Sequence, residues 1–388
     1  MWMLDGDFVR LMKIAYTTHF SADNVHSWSG TIYYIREALR QAGAEISTVD
    51  GLTEKGRVSG RLIEVAYRHL TGKTFIRYRR PSTLDAYARQ VEAVLEKAPA
   101  DVVFSPSTFP LARMKPGTPT VFWSDACFAG MIDFYPYTSN LCRRTIWEGN
   151  QTEQDALDRC SLAIYSSDWA ARTALEHYKI DPAKVKVVPY GANIETGRTR
   201  AEVLGSLEFR PMDRCELLFI GVEWERKGGD IALETALELN RRGLPTRLHV
   251  VGCAPPAKAP DFVIRHGFVS KKTPEGRVRL ESLLAQSHFL IVPSRAECYG
   301  LVFAEASSYG LPSLAADVGG IPTVVRNGVN GQLFPLAARG HEFAEHVVEL
   351  LQNPAAYREL ALHAHEEYER RLNWQTAGAA VKDLLDRL

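Results

Sequence analysis

No run of apolar residues in this chain approaches the roughly 18 that a membrane-crossing helix needs. Neither sign of charge is in excess, because 46 Lys and Arg stand against 46 Asp and Glu. That balance argues against a dedicated nucleic-acid binder, which needs a basic surplus to displace counterions, although a local basic patch stays compatible with it. Cysteine is sparse and scattered: Cys127, Cys142, Cys160, Cys215, Cys253 and Cys298 form no Cys-x-x-Cys pair and no zinc-ligand spacing. Free thiols in a reducing cytosol are therefore expected. No Gly-x-Gly-x-x-Gly follows the first apolar run, which weighs against a nicotinamide cofactor. Asp5, Asp7 and Arg10 interrupt the first twelve residues, so these lack the apolar core of a signal peptide, and Met12 is an alternative start. The localisation expected is cytoplasmic, with peripheral contact to the inner face of a membrane left open.

What is present is a long chain of ordinary globular composition, with 388 residues, 46% hydrophobic and 24% charged. At roughly 150 residues per domain it suggests two domains. Short apolar runs alternate with helix-like stretches, the pattern of parallel sheets covered on both faces. In the first half the runs are Ile14–Thr18, Glu45–Val49, Val102–Ser105, Thr120–Trp123, Leu162–Ser166 and Val185–Pro189. Amphipathic segments such as Ile32–Ala42 and Leu84–Lys97 lie between them. A second series has runs at Glu216–Ile220, Arg247–Val251, Phe289–Pro293 and Ser313–Ala316, with helical patterns at Asp230–Arg242 and Glu275–Ala285. The polar stretch Gly191–Arg214 reads as a linker. The fold class expected is α/β, with two doubly wound Rossmann-like parallel-sheet domains facing across a cleft. The first spans residues 1–195, with 373–388 crossing back to it, and the second spans 196–372.

The richest segment is Pro293–Pro312. An apolar strand ends near Ser294, a short loop carries Glu297 and Gly300, and a helix begins near Leu301 with Glu305 in its early turns. Ligands of open parallel sheets sit beyond the carboxyl ends of strands. Unpaired N–H groups at a helix start suit a diphosphate, and a glycine lets the backbone approach it. A carboxylate accepts two hydrogen bonds, which matches vicinal hydroxyls of a ribose or hexose. Two solvated acids would explain a pair of glutamates alone, but not the loop, glycine and strand around them.

With these residues in place, the chain resembles the retaining glycosyltransferases of family 4, with the GT-B fold. Their hallmark is two glutamates separated by seven residues at such a junction, as are Glu297 and Glu305. The flanking segments His266–Ser270, Leu283–Ser294, Gly310–Ser313, Val318–Pro322 and Asn327–Gly331 are similar in order and content. The resemblance is close over residues 215–336 and looser in the first half. It implies that Glu305 binds ribose hydroxyls and Glu297 a hydroxyl of the transferred sugar. The backbone of Cys298, Tyr299, Gly300, Leu301 and Val302 would line sugar and phosphates, and Phe268 would mark where main-chain groups bracket the base.

A second loop, Phe219–Asp230, places Arg226 and Lys227 beside a glycine pair. Cations there suit the negative charge growing on a pyrophosphate leaving group. Lys227 matches the lysine of the family pattern. Val222 stands where an arginine is usual, leaving Arg226 either as its replacement or as a solvated side chain. In the first half, Gly30 and Thr31 occupy the small-residue loop expected near donor phosphates and acceptor. Asp125 lies where relatives often carry a histidine contacting the donor sugar, and reads either as a catalytic candidate or as a cap. Asp168 reads as a helix cap, His19 as a packed or surface histidine, and His363 and His365 as solvated. Alkylation of Cys298 is expected to inhibit by bulk.

Two features bear on the acceptor. Arg77–Pro81 follows a stretch holding Arg57, Arg61, Arg68 and Lys73, which is either a solvated face or a surface for anionic lipid or a pyrophosphate-linked acceptor. Phe128, Met131, Phe134, Tyr135 and Tyr137 either floor an acceptor groove or pack within the domain. The activity expected is transfer from a nucleoside diphosphate sugar, UDP favoured over GDP, to the hydroxyl of a glycan, lipid-linked or small-molecule acceptor. No cofactor and no metal is expected. The alternatives are a non-hydrolysing nucleotide-sugar epimerase of the same architecture and a catalytically silent sugar-nucleotide-binding partner.

Overall fold

The computed structural model describes residues 11–25, 27–194 and 197–388. Asp5, Asp7 and Arg10 lie outside the described residues. The chain divides into two compact units. One comprises residues 1–165, 171–188 and 378–388, and the other residues 166–170 and 189–377.

The first unit is built on six parallel strands: β1 (Lys13–Thr17), β2 (Glu45–Val49), β3 (Val102–Ser105), β4 (Thr120–Ser124), β5 (Leu162–Tyr165) and β6 (Val185–Val187). Their spatial order is β2-β1-β3-β4-β5-β6. Every residue of β3, β4 and β5 is buried, as strands covered on both faces must be. The connecting helices are α1 (Thr31–Gln41), α2 (Arg57–Thr71), α3 (Pro81–Leu95), α4 (Phe128–Met131), α5 (Arg143–Arg159) and α6 (Asp168–His177), whose first three residues belong to the second unit.

The second unit repeats the theme with β7 (Cys215–Ile220), β8 (Thr246–Val251), β9 (Val263–Gly267), β10 (Phe289–Val292), β11 (Ser313–Ala316) and β12 (Gly331–Phe334). Here the order is β12-β11-β10-β7-β8-β9, again all parallel. Its core gathers Leu217, Phe219, Leu248, Val250, Phe289 and Ile291 from the sheet with Ile231, Phe343, Val347 and Tyr357 from helices. The helices are α7 (Arg200–Glu208), α8 (Gly229–Arg241), α9 (Pro274–Gln286), α10 (Leu301–Ser307), α11 (Ile321–Val324), α12 (Gly340–Leu351) and α13 (Pro354–Arg371), followed by α14 (Trp374–Leu385), whose last residues belong to the first unit.

In both sheets the strand order reverses at one point, between β1 and β3 and between β7 and β10. Connections leave in opposite directions there and open a crevice beyond the strand ends. Gly191–Arg214 is not a bare linker. It contains α7, whose Thr199 and Glu202 form a reciprocal capping box and whose Val203 and Leu207 are buried.

Candidate functional site

The candidate donor site lies at the switch point of the second unit. The loop after β7 and the loop after β10 are locked together by backbone. Arg295 N–H donates to Arg226 O at 2.7 Å, and the Arg295 guanidinium pairs with Asp230 at 2.7 Å. Gly228 has φ of 76°, and a Cβ there would lie 2.1 Å from Pro293 O. Only glycine satisfies both the left-handed backbone and this close approach.

That packing delivers Lys227 to Glu297, and the two form an ion pair between largely buried side chains. Arg226 is the third member. Its Nη1 lies 3.7 Å from the same Glu297 oxygen and donates to Ala296 O at 2.9 Å, while its Nε donates to Glu223 at 2.8 Å. Two cations thus stand against two carboxylates, Glu297 and Glu223, in this pair of loops. Val222 is exposed and adds none.

Gly300 caps α10 with φ of 90° and ψ of 62°, a left-handed turn that bends the chain into the helix carrying Glu305. A Cβ at Gly300 would meet the Phe303 ring at 2.6 Å. Glu305 is only 4% exposed. Its carboxylate pairs with Lys271, whose Nζ also donates to Asn193 O at 3.3 Å. Lys271 belongs to the loop after β9, as does Phe268, which is 70% exposed. The structure therefore brings the loops after β9 and β10 to one edge. Lys271 was missed in the sequence reading. The available signal was a lysine pair, Lys271 and Lys272, within a few residues of Phe268.

Several side chains have structural work of their own. Tyr299 is buried, donates from its hydroxyl to Tyr190 O at 2.6 Å and has its pKa pushed up by burial, so only its backbone is available to a ligand. Leu301 and Val302 are half-buried at the start of α10. Cys298 is 3% exposed, so the expectation that an alkylating reagent reaches it fails in the folded protein. His365, read as solvated, is buried and its Nε2 lies 2.6 Å from Arg198 O.

In the first unit, Gly30 caps α1 with φ of 92°, directly after Trp28 and Ser29 at φ of 48° and 55°. A bulky residue such as Trp28 in the left-handed region marks stored strain, which concentrates at ligand-binding turns. Thr31 opens α1 and is buried. Asp125 is half-buried just after β4, and the N-cap position of α4 is Cys127. Asp168, which with Ser167 belongs to the second unit, is not a cap: it is the first residue of α6, and Ser167 Oγ accepts from Ala170 N–H at 3.2 Å. His19 is packed against Phe20 and Phe109, and burial, reinforced by Arg79, holds its pKa down at about 4. Among the described residues no group of three or more His, Cys, Asp or Glu is arranged to hold a metal.

With the geometry in view, comparison with known proteins identifies the family. Residues 30–196 match the family described as Glycosyltransferase Family 4, and residues 214–353 match Glycosyl transferases group 1. The chain belongs to the family 4 type of GT-B glycosyltransferases. Among curated proteins it is 32% identical over 212 residues to the D-inositol 3-phosphate glycosyltransferase of Mycobacterium leprae (strain TN), covering 52% of this chain and 48% of that protein. The protein of the same name from Rhodococcus erythropolis is 31% identical over 239 residues, covering 58% and 53%. The chain thus spans about half the length of the curated relatives it matches. Among solved structures, sucrose-phosphate synthase from Thermosynechococcus elongatus superposes with a TM-score of 0.71 at 18% identity, covering 97% of this chain and 98% of that one. Anabaena HepE in complex with UDP and glucose gives 0.62 at 15% identity, covering 97% and 100%. These likenesses show the GT-B fold.

Proposed function

We propose that this family 4 protein is a glycosyltransferase that moves a sugar from a nucleoside diphosphate sugar to an acceptor hydroxyl, with retention at the anomeric carbon. The observation that carries the reading is the convergence of Lys227, Arg226 and Glu297 on the loops after β7 and β10, the crevice where the strand order reverses, with Glu305 on the helix that follows the second loop. A carboxylate held by cations at such a crevice suits a ligand that combines hydroxyls with a diphosphate.

In this reading Glu305 accepts hydrogen bonds from the ribose hydroxyls, and Glu297 accepts one from a hydroxyl of the transferred sugar. The backbone from Cys298 to Val302 lines sugar and phosphates, and the loop at Phe268 brackets the base. Lys227 and Arg226 stabilise the charge that develops as the bond between the anomeric carbon and the diphosphate oxygen breaks. The acceptor oxygen forms the new bond from the same face, and its proton passes to a departing phosphate oxygen. Within the first unit, Gly30, Thr31 and Asp125 are that unit's own candidate residues in this reading. Lys and Arg supply the charge stabilisation, so the reaction proceeds without a metal. UDP is the nucleotide favoured, supported by the HepE complex with UDP. The name of the curated relatives makes a small polyol phosphate the first acceptor to try, ahead of glycan and lipid-linked acceptors. A lipid-linked acceptor would call for peripheral contact with the inner membrane face.

The test is a screen of nucleotide sugars that monitors release of nucleoside diphosphate with and without acceptor. Acceptor-dependent release of diphosphate with a glycosylated product supports transfer. Interconversion of the donor without acceptor would identify an epimerase. Tight donor binding without turnover on any acceptor would identify a silent sugar-nucleotide-binding protein, a reading that Val222 at the arginine position favours.

A further inference from the structure

The basic stretch noted in the sequence separates into two parts. Arg79 is buried with its guanidinium 4.1 Å from the Phe128 ring centroid and 4.5 Å from that of Phe109, and it lies 3.7 Å from Glu153. Arg77 pairs with Glu54 at 3.1 Å and Glu64 at 3.4 Å. These two arginines are committed to the fold. By contrast Lys55, Arg57, Arg61, Arg68 and Lys73 are exposed and carry no ion pair among the described residues.

The free cations belong to α2 and its flanks, and α2 has an unusual surface. Val58, Leu62, Val65 and Leu70 are 75%, 66%, 54% and 83% exposed, and the one buried residue of the helix is Gly60. At about 100° per residue, Val65, Val58, His69, Leu62 and Ala66 fall within an arc of about 100°, and Leu70 lies about 40° further on, past Ser59. Arg57, Arg61 and Arg68 fall within about 40° of one another, directly beside that arc. The only acid of α2, Glu64, lies opposite the apolar arc but only about 20° from Arg57, and it is held against Arg77. The helix is anchored by its Ile63, Gly60, Glu64 and Tyr67 side and turns a largely apolar face, interrupted by His69 and Ser59 and bordered by arginines, to the exterior. A solvated helix would carry polar residues over that arc.

We infer that α2 is an interfacial helix that lays its Val58–Leu62–Val65–Leu70 stripe into the surface of an anionic lipid bilayer, with Arg57, Arg61 and Arg68 against the headgroup phosphates. The two halves of the surface act on different parts of one partner. The apolar side chains enter the boundary of the acyl region, and the arginines answer the negative surface potential. The charge border selects a lipid surface over an apolar protein groove, because three arginines lining one edge require a dense plane of anions. This inference goes beyond the transfer reading and does not rest on it, because α2 contributes nothing to the candidate donor site.

The experiment is co-sedimentation of the full chain with large unilamellar vesicles of equal phosphatidylglycerol and phosphatidylcholine, beside vesicles of phosphatidylcholine alone. Binding to the anionic vesicles, weakened by high salt, is expected. The triple variant Arg57→Glu, Arg61→Glu, Arg68→Glu should lower the partition coefficient on the order of 100-fold or more, at about fivefold per basic residue removed. Leu62→Asp with Val65→Asp should weaken binding at every salt concentration. Circular dichroism and the melting shift on adding UDP check that the variants keep their fold and donor site. Equal binding to both vesicle types, or unchanged binding by the triple variant, overturns the inference. A dimer seen by light scattering and abolished by Leu62→Asp would give the face to a second copy of the chain and overturn it as well. Vesicle binding without nucleotide-sugar turnover would refute the transfer reading alone.

Discussion

The substitution Glu305→Gln isolates the proposed ribose contact. Glu305 is almost fully buried and its one recorded side-chain partner is Lys271. A carboxylate there can accept from two vicinal hydroxyls. Glutamine keeps the shape but offers one neutral acceptor, and its amide N–H₂ faces the second hydroxyl. Hydrogen bonds to a charged group contribute about 1.5–3 kcal/mol, and neutral ones about 0.5–1.5. Weakening one bond and losing the other therefore costs about 2–4 kcal/mol, which raises the Kd for UDP on the order of 100-fold. Calorimetric titration of UDP into wild type and variant measures it directly. Thermal melting gives a second reading, because a ligand at 100 times its Kd adds about 2.7 kcal/mol to the native state and the variant should forfeit most of that. The substitution also deprives Lys271 of its charged partner and leaves it the Asn193 carbonyl, so the melting point of the free variant must be recorded. Lys271→Met, which strands the buried carboxylate, should by itself cost about 1–2 kcal/mol of stability, less than a fully buried pair because Lys271 is partly exposed. A folded Glu305→Gln protein that binds UDP within twofold of wild type refutes the ribose assignment.

Lys227→Ala should lower kcat about 10²–10³-fold with a smaller change in UDP affinity, because its charge is needed most as the diphosphate departs; a variant with wild-type kcat would remove Lys227 from the proposed chemistry. His288 is fully buried, with Nδ1 accepting from Glu216 N–H at 2.9 Å and Nε2 lying 2.7 Å from Pro211 O. Burial is the main cause that holds its pKa down at about 4, against about 6.5 when unfolded. The unfolded chain binds the extra proton first, so the stability is fully present above pH 6.5 and is lost as pH falls from 6.5 towards 4, about 3 kcal/mol in all. Denaturant melts at pH 7.5 and 4.5 check this, with His288→Gln expected to lose less across the interval; parallel losses would count against it. Of the six cysteines, all free, five are buried and Cys253 is half-exposed. A thiol reagent should therefore label Cys253 first and leave Cys298 intact under native conditions, as peptide mapping will show, and labelling of Cys298 at a similar rate would contradict the burial.

Parallel strands were legible because burial on both faces forces unbroken apolar runs, and Val102–Ser105 and Phe289–Val292 are buried at every position. The segment holding Glu297, Gly300 and Glu305 was legible because its meaning is local: a strand end, a turn that needs a left-handed residue, and a helix start follow one another in the chain. The sequence also contained the capping box at Thr199 and Glu202, which marks α7, but its polar surroundings suggested a linker.

Only the tertiary structure decided which charges meet. Lys271 reaches Glu305 from the loop after a different strand, and Lys227 reaches Glu297 from another. Periodicity tells which side of a helix is apolar, but pairing across loops depends on strand order, which is non-local. The same holds for inside and outside. Arg79 and His365 lie in charged stretches yet are buried by rings and backbone that arrive from elsewhere in the chain, whereas Val58, Leu62, Val65 and Leu70 have the pattern of a packed face and are left exposed because none of the described elements covers them.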